Sequence, residues 1–287
     1  MLRKIRVEAS FSGVLPTGSY SNMRPGFLAS MEFEQEFKTE EEAKLAIEGA
    51  QIELQAICFQ NFEQEALKAK VLKVQEDLKS FRFYTIDGEK YPSVTSICGY
   101  DKGFFCAEQD LPLYAAQGNL YDKEIRNFVN TGVWVESKDL LECTADRFII
   151  KNRMTENGKT LSLDSCKFRE FLEKFPIKEL RSIEQPVHSK KHKIAGTPDL
   201  IGIYNGLKTL VSIKRTKSAE DNFVQEAGYS LCEGMEDIKQ FMVVEMKLEE
   251  DGGNKQGFSR PTTTELIAKY QELFLRKRQD FFKIYGI

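Results

Sequence analysis

The chain has 287 residues, 41% hydrophobic and 11% aromatic, with 41 basic against 44 acidic side chains and a formal charge of −3. That is apolar material for one large domain or two modest ones, and it excludes a disordered chain. Near-balanced charge excludes holding nucleic acid through a global field, so any such contact rests on local basic patches.

No apolar run reaches the roughly 20 residues of a membrane span, and no internal repeat is evident. The cysteines at 58, 98, 106, 143, 166 and 232 form neither a CxxC pair nor a compact cluster. With no signal-like start, they read as reduced thiols of a cytoplasmic protein.

In chain order, Arg3 to Val14 and Phe27 to Phe37 alternate apolar with polar residues and predict two strands. The stretch LPTGSYSNMRPG between them is a turn region. Thr39 is an N-cap with a capping-box glutamate at 42, opening a helix to about Lys70. Ala43, Ile47, Ala50, Leu54, Ile57 and Phe62 give it an apolar stripe. We take residues 1–75 as a small ββα module. Its tip, Tyr20, Asn22 and Arg24, reads either as a nucleic-acid contact or as an ordinary loop, and the module is a candidate seat for a protein partner.

Residues 71–92 read as a polar connection with a strand at Phe81–Ile86 and an Asp87-Gly88 turn. Tyr91-Pro92-Ser93-Val94-Thr95 begins a helical region through about Asn130. Residues 133–164 suggest strand or loop with an Asn157-Gly158 turn, and Ser165–Leu180 suggests a helix broken near Pro176. A helix from Ser218 to about Cys232, a strand over Phe241–Leu248, a Gly-rich loop and a helix over Pro261–Tyr285 complete the chain. Helix, three strands, helix, strand and helix make an α/β domain with a mixed sheet flanked by helices, over residues 76–287.

The stretch with most chemical content is Thr197–Tyr204, Asn205-Gly206, Leu207–Arg215. Asn-Gly between β-branched flanks predicts a two-residue type I′ hairpin. That register sets Tyr204 opposite Leu207, Asp199 opposite Ser212 and Thr197 opposite Lys214. Asp199, Ser212 and Lys214 then share one face.

At these residues the chain resembles the RecB-like exonuclease branch of the PD-(D/E)xK nuclease superfamily. Pro198-Asp199 matches PD, Ser212-Ile213-Lys214 stands at (D/E)xK, and Gln225-Glu226-Ala227-Gly228-Tyr229 matches QxxxY. Glu184 matches an acid often found before the hairpin, opening the strand that precedes Ala195-Gly196-Thr197. Pro92-Ser93-Val94-Thr95 resembles the PSVT opening, and Gly118 to Asp122 occupies GxxxH with Asp122 at the histidine.

The resemblance implies a restriction-endonuclease-like core and hydrolysis of DNA phosphodiester bonds with Mg²⁺ or Mn²⁺. It implies metal ligands Asp199 and one of Glu184, Asp122 or Asp221, with Lys214 assisting the attacking water. It gives Gln225 and Tyr229 the positioning of helix and substrate strand. Ser212 departs from the pattern, standing where the family has an acid. Restriction endonucleases of the superfamily with SxK draw that acid from the next helix, which here offers Glu220, Asp221 and Glu226. Asp221 shares a helical face with Gln225, whereas Glu226 is about 100° round and weaker by that criterion.

Basic candidates for DNA are Lys190, Lys191 and Lys193, then Arg215 and Lys217 beside Lys214, and the Arg276-Lys277-Arg278 run. Against solvated faces, these are the local patches available. His188 and His192 lack the glutamate of HExxH, so a zinc site is disfavoured, and GxSxG, Walker A and GxGxxG are absent. The competing reading is a nuclease fold without chemistry that binds nucleic acid or a protein partner, suggested by Ser212 and Asp122.

Overall fold

The computed structural model describes residues 2–12, 15–16, 22–23, 25–102, 108–136, 144–158, 161, 165–214, 219–247, 253 and 255–287. Two compact units emerge, Met1–Ser80 and Phe81–Ile287. The boundary falls at 80 rather than 75, because the helix of the first unit is longer than its polar second half suggested.

In the first unit β1 (Leu2–Ser12) pairs with β4 (Gly26–Glu36) from Leu2↔Glu36 to Ser12↔Gly26. A two-residue ladder, β2 (Leu15–Pro16) with β3 (Asn22–Met23), lies between them. Of the tip residues, Tyr20 and Arg24 lie outside the described residues. Helix α1 (Glu40–Ser80) starts where the capping signal placed it. The Glu42 amide donates to Thr39 Oγ1 at 3.2 Å, and Glu42 Oε2 accepts from the Lys38 amide at 2.8 Å.

Val7, Ala9, Ala29 and Met31 of the hairpin pack against Ile47, Ala50 and Leu54. Cys58 is buried in the place the spacing gave to Ile57, which is 42% exposed. Residues 71–80 are helix rather than connection, since VLKVQEDLKS contains good helix formers and neither Gly nor Pro.

The second unit opens with the hairpin β5 (Phe83–Ile86) and β6 (Glu89–Pro92), turned by Asp87 and Gly88 at φ 52 and 80. Positive φ at both centres is the type I′ geometry expected of Asp-Gly. Helix α2 (Val94–Gly99) is capped by Ser93, whose Oγ accepts from the Ser96 amide. Helix α3 (Leu111–Thr131) follows and ends at Gly132 with φ 71. Residues 144–152 form α4 (Thr144–Asn152), not the strand or loop expected there. The expected 165–180 helix is α5 (Lys167–Lys174) only, and past Pro176 the chain extends into β7 (Lys178–Ser182).

Then come β8 (Val187–Ser189), β9 (Ile194–Gly196), β10 (Leu200–Tyr204), β11 (Leu207–Lys214), α6 (Ala219–Ser230) and β12 (Gln240–Glu245). The expected final helix is preceded by a short strand, β13 (Thr262–Thr264), and runs as α7 (Ile267–Tyr285). Ser218, the expected cap of α6, lies outside the described residues.

The main sheet has order β13-β12-β11-β10-β7. β11 and β12 are parallel and the other neighbours antiparallel, so the sheet is mixed and the fold α/β. The α6 crossover carries the chain from β11 to its parallel neighbour, as parallel pairing requires. One face of the sheet, with Leu200, Val211, Met242 and Val244, packs on Tyr121, Ile125, Phe168 and Phe171. The other face holds Ser212 and Lys214 and lies under α6. Among the described residues no helix is long and apolar enough to cross a membrane.

Candidate active site

Asn205 and Gly206 have φ 51 and 81, and the register runs Tyr204↔Leu207 to Leu200↔Val211, as the Asn-Gly signal predicts. The ladder stops at Leu200, so Thr197 is not paired with Lys214. Pro198 has no N–H to continue it. The Asp199 side chain takes over: its Oδ2 accepts from the Ile213 amide at 3.0 Å and from Ser212 Oγ at 3.3 Å. Lys214 Nζ lies 3.6 Å from the same oxygen. Carboxylate, hydroxyl and ammonium thus meet at the open end of the hairpin.

The acid that joins them is Glu226, at 1% exposure, and not Asp221. Neither of its carboxyl oxygens makes a well-formed hydrogen bond. Burial pushes its pKa up to about 8; Lys214 and the Ser212 hydroxyl pull it down, while the Asp199 charge adds to the rise. Burying a carboxyl with so little compensation is costly and favours its protonated form. Burial would lower the Lys214 pKa, but Asp199 and then Glu226 outweigh it and raise it, so the ammonium stays charged.

Helical-face reasoning passed over Glu226 because α6 is treated there as having one functional face. In fact Phe223, Val224, Glu226, Ala227, Gly228, Tyr229 and Ser230 are all buried, so the helix has several. Asp221 is at the surface, 3.0 Å from Lys102. Glu184 follows β7 rather than opening a strand. It is exposed and accepts from Asn130 Nδ2 at 3.0 Å and from Ser182, contacts that lower its pKa.

Asp122 does lie within electrostatic reach of Asp199 and Lys214. Burial raises its pKa against the opposing pull of Arg126, whose Nε donates to Asp122 Oδ1 at 2.6 Å. Arg126 also donates to the carbonyls of Ile183 and Pro198, at 2.7 and 3.2 Å, and so ties α3 to the residue before Asp199. The i, i+4 spacing of Asp122 and Arg126 is the signal that marks this pair.

Gln225 Nε2 donates to the Tyr229 hydroxyl at 2.9 Å, and Thr95 Oγ1 lies 3.3 Å from that hydroxyl. Burial drives the Tyr229 pKa far up, so its phenol remains protonated. The ring rests on Gly196, where a Cβ would lie 2.4 Å from Cε1. At Gly228 a Cβ would meet Val94 and Phe274 at 2.7 and 2.6 Å, so glycine sets the approach of α6 to its neighbours. The Gln225–Tyr229 pair thus locks the helix that carries Glu226.

The basic candidates divide. Lys190, Lys191 and Lys193 sit on the β8–β9 turn, with Lys190 3.5 Å from Asp87. Lys191 lines a groove with Leu207, Lys239 and Gln271. Leu207 begins the strand that Lys214 ends, about 23 Å away along it, so the groove that Lys191 lines reaches the far end of β11 from Lys214. Arg215 and Lys217 lie outside the described residues. Among the described residues no three His, Cys, Asp or Glu are grouped to hold a metal. Two carboxylates suit a Mg²⁺ ion that keeps several waters, and the orphaned Glu226 carboxyl beside Asp199 fits that role.

No family model matches the chain, and no curated protein matches it. Among solved structures, "Crystal structure of SSO0001" aligns at 11% identity and a TM-score of 0.26, over 61% of this chain and 85% of that one. A likeness at that level carries no argument about fold or activity.

Proposed function

We propose that this chain is a metal-dependent deoxyribonuclease of PD-(D/E)xK type, akin to RecB-like exonucleases of recombination, repair or phage, acting in the cytoplasm. The observation that carries the reading is the convergence of Asp199, Lys214 and Glu226 around Ser212, at 0% exposure. The mixed sheet with α6 between the parallel strands β11 and β12 is consistent with such a core.

In this proposal Asp199 and Glu226 hold Mg²⁺ or Mn²⁺, Glu226 giving up its proton on binding. The bound ion would supply a water acidified toward hydroxide and a positive charge at the scissile phosphate. Ser212 replaces the acid on the strand, and Glu226 provides one from the helix at the same place. Lys214, held charged by its carboxylate neighbours, stabilises negative charge on the phosphoryl oxygens and orients the attacking water. It is a poor general base for the same reason. Gln225 and Tyr229 fix α6, and Arg126 fixes the Pro198-Asp199 segment, so both carboxylates are held before substrate arrives. Lys190, Lys191 and Lys193, on the β8–β9 turn, would contact the DNA backbone outside the Asp199 cluster.

A second reading, a nuclease fold that binds DNA or a protein partner without cleaving, is favoured by Asp122 being tied to Arg126 instead of free as a ligand. End-labelled single-stranded and linear duplex DNA, incubated with Mg²⁺ or Mn²⁺, separates the two. Metal-dependent cleavage lost in Lys214→Ala supports the nuclease; binding without cleavage under both metals supports the second reading.

A further inference from the structure

The β5–β6 hairpin stands beside the segment that leads into Asp199. Tyr84 Oη lies 3.4 Å from Thr197 Oγ1, and Thr197 is two residues before Asp199. Arg82 precedes Tyr84 by two residues and so falls on the same side of the chain. Its guanidinium carbon sits 4.6 Å from the centre of the Tyr84 ring, over its face. The Arg82 backbone is fixed at both groups: its amide donates to Ser96 Oγ at 2.9 Å, and its carbonyl accepts from the Ser93 amide at 2.9 Å. Arg82 is nonetheless exposed, whereas Tyr84 is half-buried. Guanidinium, ring and Thr197 thus form a line from the surface to the Asp199 segment.

Charge pairing sets Arg82 apart. Lys102, Lys190, Lys208 and Lys277 of the same unit each lie within 3.5 Å of a carboxylate. Among the described residues no carboxylate is within ion-pair distance of Arg82. A guanidinium that is held in place and left uncompensated is complementary to an anion. Its planar fork suits phosphate, and its flat face takes an aromatic ring. Phosphate and an accessible ring occur together on an unpaired nucleotide; a duplex keeps its bases stacked inside.

We propose that Arg82, backed by Tyr84, is a seat for single-stranded DNA. The guanidinium edge donates to a phosphate, its outer face carries an unpaired base, and the strand continues past Thr197 to the Asp199 cluster. The inference rests on the nuclease reading for that direction, and it makes an unpaired strand the substrate in place of intact duplex.

Fluorescence anisotropy of the full chain tests this, with labelled oligo-dT and a blunt duplex of equal length, in chelator so that nothing is cleaved. The single strand is expected to bind more tightly. Arg82→Ala should raise its Kd about tenfold, and duplex affinity should change less than about twofold. The slope of log Kd against log salt should fall by about 0.7, the share of one phosphate. Arg82→Lys should keep that slope yet lose much of the affinity, because an ammonium has no face for a base. Circular dichroism checks that both variants are folded. A single strand bound no better than duplex, or a Kd indifferent to Arg82→Ala, overturns the proposal. An equal loss on both DNAs overturns the unpaired strand as its ligand. Oligo-dT held through Arg82 without cleavage under Mg²⁺ or Mn²⁺ supports the seat and removes the nuclease reading. Metal-dependent cleavage with oligo-dT binding indifferent to Arg82 does the reverse.

Discussion

Helices α1 and α6 reverse the usual placement of side chains in opposite ways. α6 keeps a carboxyl, Glu226, inside the protein with little hydrogen bonding to compensate it, where an apolar residue would cost less. α1 holds Leu45, Ile52 and Leu67 in water, where polar residues would cost less. Neither arrangement stabilises the chain by itself, and the cation proposed at α6 would compensate the buried carboxyl. The comparison teaches that the buried departure from good packing, at α6, is the one that locates function in this fold.

The largest effect expected bears on the α6 side. Asp199→Ala should reduce metal-dependent DNA cleavage by on the order of 10³-fold, because it removes a proposed ligand and the acceptor of the Ile213 amide. Full activity in a folded Asp199→Ala protein would refute the assignment.

Glu226→Gln should reduce cleavage by roughly 10²-fold or more while making the metal-free protein more stable at high pH. The sign follows from its pKa, raised to about 8 from 4.5. The native state retains a proton that the unfolded chain releases, so stability falls as pH rises through that window and is fully retained below it. Urea unfolding in the presence of a chelator should show this decline in the native protein, by on the order of a few kcal/mol, and little of it in Glu226→Gln. Equal slopes would place the buried charge elsewhere.

Moving the acid sharpens the point. Glu226→Ala should lose Mn²⁺ binding by calorimetry, and Ser212→Asp added to it should recover part of the affinity. No recovery would mean that the strand position no longer points at the cation.

Gly196→Ala should cost about 1–3 kcal/mol of stability, since its Cβ collides with the Tyr229 ring and displaces α6. Denaturant midpoints measure it directly. The smallest effects belong to Glu184→Gln and Asp221→Asn, each under about twofold in cleavage, because both are exposed surface partners of other side chains. A large loss in either would mean that the proposed second acid is not Glu226.

The turn of the β10–β11 hairpin and its register from Tyr204↔Leu207 to Leu200↔Val211 were legible from Asn-Gly, but the ladder does not extend to Asp199 and Thr197 as the alternation suggested. The two strands β1 and β4 and the capping box of α1 were legible to within a residue or two at their ends. Legibility failed where helix and strand patterns compete. Ser165–Leu180 kept helical spacing up to Pro176, and what followed was strand. The α4 segment has a short apolar repeat that its charged surroundings obscured. At the site, Asp199, Ser212 and Lys214 were placed together, as the contacts show, whereas helical-face spacing ranked Asp221 above the buried Glu226.

That division has a physical reason. Local rules act over a few residues, so turn chemistry, caps and strand alternation determined the hairpin, the start of α1 and the face shared by Asp199, Ser212 and Lys214. Which side of α6 looks into the protein is decided by what packs around it, and here sheet, α2 and α7 close on several sides at once. Glycine at 196 and 228 lets them approach closely enough for Glu226 to be sealed beside Lys214. Only the tertiary structure could supply that burial, and burial is what raises its pKa.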